Sequence, residues 1–504
     1  MRLSFLPSRL PSQLMRSTVS CCPARRESDY RFSAFALSAL FLLTLLLSAC
    51  GGGSSAATNS IVPPPVSDCA GSSSAAKHPA TARSVSAVDP GAIPADYFGL
   101  NLHPVVFGLG GNTIPWPTTI AGFNFGAVRL WGTETTWNDL NPTNGTYDFT
   151  NLDTVLQTSI ANSQTDFIYT FGVVPPWASS NPNDQTCVTS NSPAGSCDPP
   201  ADLNADGTGA DAYWQTFVSA LVNHAAGKIH TWEIWNEPNI LIEWTGTPAQ
   251  MARMAQDAYN IIKTADPSAQ VTTPTPGNDG TGQNINSWEG PYLSAVASIS
   301  PSNPLADIVT FHGYADAAKG TPPESEPTNV SNLASAISQS PFTSLASLPL
   351  WNTEGSWNKD VDANGNPLDP DIEAAYVARL YLLQWSLGIS RFYWFQYGNQ
   401  ETGTLWTPSG LNEAGVAYGQ VYDWMVGNTP TGCSNSGTVY TCGFSNKTEA
   451  VWDTSQTCSN GTCTTSTFNP GSAYTQCFDL SGNSATIGSG NSVTIGAKPI
   501  LLEQ

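Results

Sequence analysis

Eight short runs rich in Val, Ile, Leu and aromatic residues recur through the middle of the chain, at 97–101, 127–131, 166–171, 230–236, 270–273, 307–312, 349–354 and 391–397. Several are near-continuous apolar runs, as strands covered on both faces must be. Helical patterns separate most of them. Thr247-Pro248-Ala249-Gln250 offers a capping hydroxyl, a proline at the first helical position and a capping-box glutamine ahead of 251–263. Asp369-Pro370 opens a helix over 371–387 that Gly388 can close. Trp214, Phe217, Val218, Leu221 and Ala225 form a stripe at helical spacing. Eight strands in this alternation predict an α/β fold, a (β/α)8 TIM barrel over 86–427.

After Gly427 the texture changes. Short alternating runs at 449–452, 474–479, 492–495 and 500–503 sit among Gly, Asn, Ser and Thr with no helical pattern. A small β-sandwich domain over 428–504 is expected.

Two of the barrel strands end in a carboxylate. In Thr231-Trp232-Glu233-Ile234-Trp235-Asn236-Glu237-Pro238-Asn239, Trp232, Ile234 and Asn236 alternate with Glu233, Trp235 and Glu237 at the period of a strand. Pro238 cannot donate to a ladder and biases Glu237 towards an extended backbone, so the strand is expected to stop there. Leu348-Pro349-Leu350-Trp351-Asn352-Thr353-Glu354-Gly355 ends the same way 117 residues later. In a parallel barrel the C-terminal strand tips carry the chemistry. Two carboxyl groups facing each other across a sugar are what cleavage of a glycosidic bond requires.

Asn-Glu-Pro on the fourth strand and Thr-Glu-Gly on the seventh resemble the acid/base and nucleophile of the clan A retaining glycoside hydrolases, family 39 first and family 5 next. The resemblance implies that Glu237 is the acid/base and Glu354 the nucleophile. It implies that Arg129, ending the second strand in Val128-Arg129-Leu130-Trp131, hydrogen-bonds the nucleophile and keeps it ionised. It gives Asn236 the sugar 2-hydroxyl, and sets His312 or Tyr314, at the end of the sixth strand, against the nucleophile or the sugar. Trp394 is a candidate floor for the reacting sugar. Trp131, Trp177, Trp351 and Trp357 are further stacking candidates, and His103, after the first strand, is a polar one.

The activity so implied is hydrolysis of β-glycosidic bonds in polysaccharides or oligosaccharides by double displacement, xylosidase-like or endo-glycanase-like, without an organic cofactor. A transglycosylase, or a catalytically idle carbohydrate-binding or surface-assembly protein on the same scaffold, remains an alternative. The sequence leaves sugar, linkage and exo or endo attack open.

Composition bears on the partner. Only 11% of residues are Asp, Glu, Lys or Arg, against 16 Trp in 504 residues. Past residue 49 the chain keeps 12 basic and 37 acidic residues, a net charge of −25. Such a surface repels nucleic acid and anionic membranes, and neutral sugar chains suit it better.

Arg25, Arg26 and Arg31 precede an apolar run from Phe32 to Leu47 and then Ser48-Ala49-Cys50, the plan of a signal peptide over 1–49. Leu47-Ser48-Ala49-Cys50 also resembles the bacterial lipobox, whose cysteine is lipidated. A Gly/Ser/Pro-rich tether over 50–85 follows. The chain is thus expected to be exported, lipid-anchored or secreted. Eight cysteines remain beyond Cys50, an even number suited to an oxidising compartment. Proximity suggests Cys187–Cys197, Cys433–Cys442 and Cys458–Cys463, leaving Cys69 for Cys477. Asp202–Gly207 and Asp360–Gly365 carry part of a calcium-loop pattern, the second with Asp371 at its twelfth position. Pro367 and the missing bidentate glutamate depart from it, and the same residues are ordinary turn formers.

Overall fold

The computed structural model describes residues 91–504 apart from 111–113, 278–284, 399–401 and 489–491. The signal segment, the tether, Cys50 and Cys69 lie outside the described residues. Eight strands make one parallel sheet: β1 (Phe98–Leu102), β2 (Ala127–Leu130), β3 (Phe167–Thr170), β4 (Thr231–Glu233), β5 (Gln270–Val271), β6 (Val309–His312), β7 (Leu350–Gly355) and β8 (Ile389–Tyr397). β1 to β5 pair in chain order, as do β6 to β8, and β8 returns to pair with β1. Between β5 and β6 an isolated parallel bridge joins Thr272 to Ile308, with the Thr273 N–H donating to the Ile308 carbonyl at 3.0 Å. The ring of strands is therefore closed, and the fold is a TIM barrel.

Helices α1 (Trp137–Leu140) and α2 (Thr150–Ala161) follow β2. Then α3 (Ala212–His224), α4 (Pro248–Ala265), α5 (Ile285–Ile299), α6 (Glu326–Gln339), α7 (Pro370–Ser386) and α8 (Glu413–Met425) follow β3 to β8 in turn. Between β1 and β2 the described residues hold only the short 3-10 turns 104–107 and 117–119, so the strand–helix alternation starts at β2. The capping box at α4 is formed: Gln250 N–H donates to the Thr247 hydroxyl at 3.1 Å, and Thr247 N–H to the Gln250 side-chain oxygen at 2.9 Å.

The barrel interior changes from charged to apolar to polar along its axis. At the N-terminal end Arg391 pairs with Asp96 at 2.6 Å and Asp166 at 2.7 Å while its guanidinium stacks on Trp351. Above it Ala127, Ile168, Ile308, Trp351 and Tyr393 fill the middle. Side chains alternate along a strand, so the next inward positions belong to Asn101, Arg129, Thr170, Glu233 and Thr310, all buried and polar. A buried polar layer is tolerable only where its members satisfy one another, and it lies under the face where such barrels work.

Beyond α8 a six-stranded antiparallel sheet runs in the order 430–436, 439–444, 448–453, 500–503, 476–478, 484–486. A ribbon of 466–468 with 493–495 faces it, and Val451, Ile495, Ile500 and Leu502 are buried between them. This is the expected β-sandwich. A buried pair of Arg379 on α7 with Glu324 ties it to the barrel, because the Trp452 indole donates to the same glutamate at 2.9 Å.

Disulfides join Cys187–Cys197, Cys433–Cys442 and Cys458–Cys463. Cys477 is also disulfide-bonded. No helix among the described residues is long and apolar enough to cross a membrane. The carboxylates of the two calcium-like loops are occupied locally. Asp206 accepts from Thr208 N–H and hydroxyl, and Asp362 accepts from Asn364 and Asn366 N–H. Asp202 accepts from the first N–H groups of α3, and Asp371 from Lys498. All but the Asp371–Lys498 ion pair are turn and cap contacts.

Candidate active site

Arg129 organises the polar layer. Its Nε donates to Glu233 and its Nη1 to Oε2 of Glu354, each at 2.7 Å, while Nη2 donates to Oδ1 of Asn236 at 2.9 Å. Nη1 also reaches Oδ1 of Asn101 at 3.2 Å. One buried guanidinium thus holds residues from β1, β4, β7 and the segment after β4. Its planar fork has the five donors such a junction needs, which a lysine does not.

Glu233 is the member that sequence reasoning passed over. It sits two positions before Trp235 on the inward phase of β4 and is fully buried. Its carboxylate also accepts from the hydroxyls of Thr170 and Thr275. Burial pushes its pKa up, but the Arg129 charge and these hydroxyls outweigh that and hold it below the usual carboxylate range. The run itself does not single it out, because Glu237 shares its phase and its mate Arg129 lies 104 residues away on β2.

Glu354 reaches the site through a bulge. On β7 the inward phase contains Trp351, so plain alternation would turn Glu354 outward. The register of β7 slips against both β6 and β8 beyond Asn352, which re-aims the carboxylate into the barrel mouth. Asn352 repairs the lost ladder: its oxygen accepts from Gly313 N–H at 3.0 Å and Glu354 N–H at 3.3 Å, and its amide donates to the Gly313 carbonyl at 3.2 Å. The strands approach so closely that a Cβ on Gly355 would lie 2.1 Å from the Gly313 oxygen. Tyr314 donates its hydroxyl to Oε1 of Glu354, so both carboxylate oxygens are held. Burial, then the charge of Glu354, keeps the Tyr314 hydroxyl protonated far above its ordinary range.

Glu237 departs from expectation. The strand β4 ends at Glu233, and Glu237 has φ +41°, left-handed rather than extended. Two hydrogen bonds hold the strained turn: Glu237 N–H donates to the Thr275 carbonyl, and Ile240 N–H to the Glu237 carbonyl, each at 2.9 Å. Such strain persists only where the surroundings over-determine it, and it is common at active sites. The carboxylate lies against Gly277, where a Cβ would stand 2.4 Å from its Oε1. Asn239 braces that contact, exchanging hydrogen bonds of 2.7 and 2.8 Å with the Gly277 backbone.

His312 lies between the two acids. Its Nδ1 is 2.8 Å from Oε1 of Glu237 and 3.9 Å from Oε2 of Glu354. Burial lowers its pKa to about 4 against the opposing pull of Glu354, so the imidazole is neutral at neutral pH. One oxygen of each glutamate and a ring nitrogen of His312 all lie within 4.8 Å of one another.

The remaining candidates divide. Trp131 is half-buried at the end of β2, its ring over Gly172 and 6.0 Å from the Arg129 guanidinium. His103 is half-buried after β1, where its Nδ1 accepts from Val105 N–H. Trp394 is not at the mouth. It occupies the outward phase of β8, is fully buried against Trp357, and donates its indole N–H to the Gly403 carbonyl at 2.7 Å. Its neighbour Phe395, in the inward phase, is half-buried instead. Trp351 and Trp357 are likewise buried, while Trp177 is half-buried with its indole N–H on the Asn141 carbonyl.

Residues 189–366, about a third of the chain, match the model of the cellulase family, glycosyl hydrolase family 5. The matched span contains Asn236, Glu237, His312, Tyr314 and Glu354. The chain is a glycoside hydrolase. Solved structures agree on the scaffold of this hydrolase. It is similar to a family 39 glycoside hydrolase from Bacteroides cellulosilyticus WH2, with TM-score 0.55 and 17% identity over 81% of each chain. A glucosidase from Croceicoccus marinus gives TM-score 0.53 and 15% identity over 82% of this chain and 96% of that one. A family 39 β-xylosidase from Caulobacter crescentus gives 0.54 and 16% over 83% and 98%. These likenesses establish a shared fold. No curated protein matches the chain.

Proposed function

We propose that this hydrolase cleaves β-glycosidic bonds of neutral glycans, of the β-xyloside or β-glucoside type, by double displacement with retention. One observation carries the reading: the carboxylates of Glu237 and Glu354 approach within 4.8 Å. A retaining pair stands about 5–5.5 Å apart, whereas an inverting pair needs roughly 6.5–9.5 Å to admit a water.

Glu354 attacks the anomeric carbon, and the C–O bond to the leaving group breaks as Glu237 gives that oxygen its proton. Water then yields a proton to Glu237 while its oxygen attacks the same carbon and releases Glu354. Arg129 and Tyr314 hold the two oxygens of Glu354, fixing the attacking lone pair. When Glu354 becomes an ester its charge disappears. Glu233 then keeps Arg129 paired, so no buried cation is stranded at the intermediate. The second acidic partner of Arg129 thereby acquires a purpose. Asn236, held through its oxygen, presents its amide N–H groups to the sugar 2-hydroxyl.

The names of the similar proteins support a β-linked neutral substrate, and the excess of acidic residues disfavours polyanionic glycans. Export and anchoring through a lipidated Cys50 rest on the N-terminal sequence. Incubation with β-xylan, β-glucans and their aryl glycosides, followed by proton NMR of the first product, tests the activity. Newly formed β-anomer that later mutarotates is expected. Initial α-anomer, or no cleavage across the panel, would overturn the proposal.

A further inference from the structure

Two segments at the barrel mouth close on one tryptophan. After β3 the chain runs Phe171-Gly172-Val173-Val174, and Val173 is buried with φ +61°. Nine non-glycine residues among those described have positive φ, and Val173 is the β-branched one. For such a side chain the conformation is a genuine outlier, which persists only where the surroundings over-determine it. Three hydrogen bonds do so here. The carbonyls of Gly172 and Val173 accept from Trp137 N–H at 3.1 Å and Asn138 N–H at 3.0 Å, and Val174 N–H donates to the Ser196 carbonyl at 2.9 Å.

The strained turn presses Gly172 against the edge of the Trp131 indole. A Cβ on Gly172 would stand 2.6 Å from Cζ3 and 2.7 Å from Cη2 of that ring, so only glycine fits with the indole in place. The N–H sits at the opposite corner of the indole and has no hydrogen-bond partner among the described residues. The side chain is half-buried. The Arg129 guanidinium lies over the ring, 6.0 Å from its centre, and itself holds Glu354 at 2.7 Å and Asn236 at 2.9 Å. Trp357 and Trp394, by contrast, are fully buried and donate their N–H groups within the protein. Trp131 is fixed at one edge, open at the other, and turned towards the groups that hold the nucleophile.

We propose that Trp131 is a substrate-binding wall for the sugar ring that Glu354 attacks, and that the Gly172–Val173 turn sets its angle. This rests on the function proposed above. The occupant it fits is a neutral pyranose such as a β-xyloside or β-glucoside. The ring C–H bonds of such a sugar form an apolar face that gains by leaving water for an indole, while its rim of hydroxyls can accept from the indole N–H. A wall of this kind touches the sugar in ground state and transition state alike, so it contributes to binding and little to the chemical step.

The test compares wild type, Trp131→Ala, Trp131→Phe, Gly172→Ala and the Trp131→Ala/Gly172→Ala double variant. The substrate is the aryl β-glycoside that wild type turns over best, with its free monosaccharide as competitive inhibitor. Trp131→Ala should raise the inhibitor Ki roughly tenfold and lower kcat/KM by a similar factor, with kcat within about threefold. Trp131→Phe, which keeps an aromatic face, should recover most of both. Gly172→Ala pushes the intact indole aside and should move the same two constants the same way. The double variant should be no worse than Trp131→Ala, because the space left by the indole takes the new methyl. A kcat that falls while Ki holds, or losses that add in the double variant, would overturn the wall and leave the glycosidase reading intact. Should Trp131→Ala not fold, Gly172→Ala decides alone, and an unchanged Ki there would overturn the wall. A wild type inactive on every glycoside would overturn both.

Discussion

The Nδ1 of His312 lies 2.8 Å from Oε1 of Glu237, with the imidazole fully buried. Burial lowers its pKa to about 4, so the contact is between a neutral ring and the acid/base candidate. The imidazole signal of His312, one of five histidines, should stay unchanged in NMR between about pH 5 and pH 8. A midpoint near the ordinary value of about 6.5 would contradict a neutral partner for Glu237.

The two glutamates should answer differently to truncation. Glu354→Ala removes the attacking oxygen, and azide entering that space should give a glycosyl azide of inverted configuration. Glu237→Ala leaves the first step usable for substrates with good leaving groups and stalls the second, so azide attacking the intermediate should give the retained anomer. The opposite pair of anomers would reverse the assignment of roles.

Gly277→Ala should act on Glu237 alone. The added Cβ would stand 2.4 Å from the Glu237 Oε1, forcing the carboxyl from its place. Substrates with poor leaving groups, which need the proton, should lose roughly tenfold or more in kcat/KM. Activated aryl glycosides should lose much less in the first step. A uniform loss across leaving groups would show that the glycine serves something else.

Stability should be greatest in mild acid. Burial first of all raises Glu243, Glu289 and Glu373 to about 8, Glu326 to about 7 and Asp211 to about 9. Each holds a proton in the fold that the unfolded chain releases near pH 4, so stability falls as pH rises through that interval. His312 acts oppositely: below about 6.5 the unfolded chain gains a proton that the fold refuses until about 4. Glu233, held low, withdraws its contribution only at still lower pH. Five groups outweigh one, and Tm should drop by on the order of 5 °C between about pH 5 and pH 8. A Tm that climbs over that range would refute the protonated state of these carboxyls.

Anchoring is testable in cells. Wild type should partition into the detergent phase with Cys50 as its mature N-terminus, and Cys50→Ala should abolish this, since two acyl chains hold stably where one does not. Recovery of wild type in the culture fluid, cut elsewhere, would refute it.

The alternation of apolar runs with capped helical patterns determined by itself that a barrel would form, because burial on both faces and 3.6-residue periodicity are local properties of the chain. The short-range disulfides were legible for the same reason. Two glutamates at strand tips stood out because Pro238 and Gly355 punctuate their strands. Only the tertiary structure decided how those carboxylates are aimed. The left-handed turn at Glu237 comes from Thr275 and Gly277 on a neighbouring segment, and the inward turn of Glu354 comes from a register slip repaired by Asn352. Neither follows from strand alternation, which would have turned Glu354 outward. Trp394 was misplaced by the same logic, for it occupies the phase of β8 that packs on the helices while Phe395 takes the inward one. Glu233 joins Arg129 across 104 residues. A charge pair at that separation is created by strand pairing and low-dielectric burial, and neither is written in the neighbourhood of either residue.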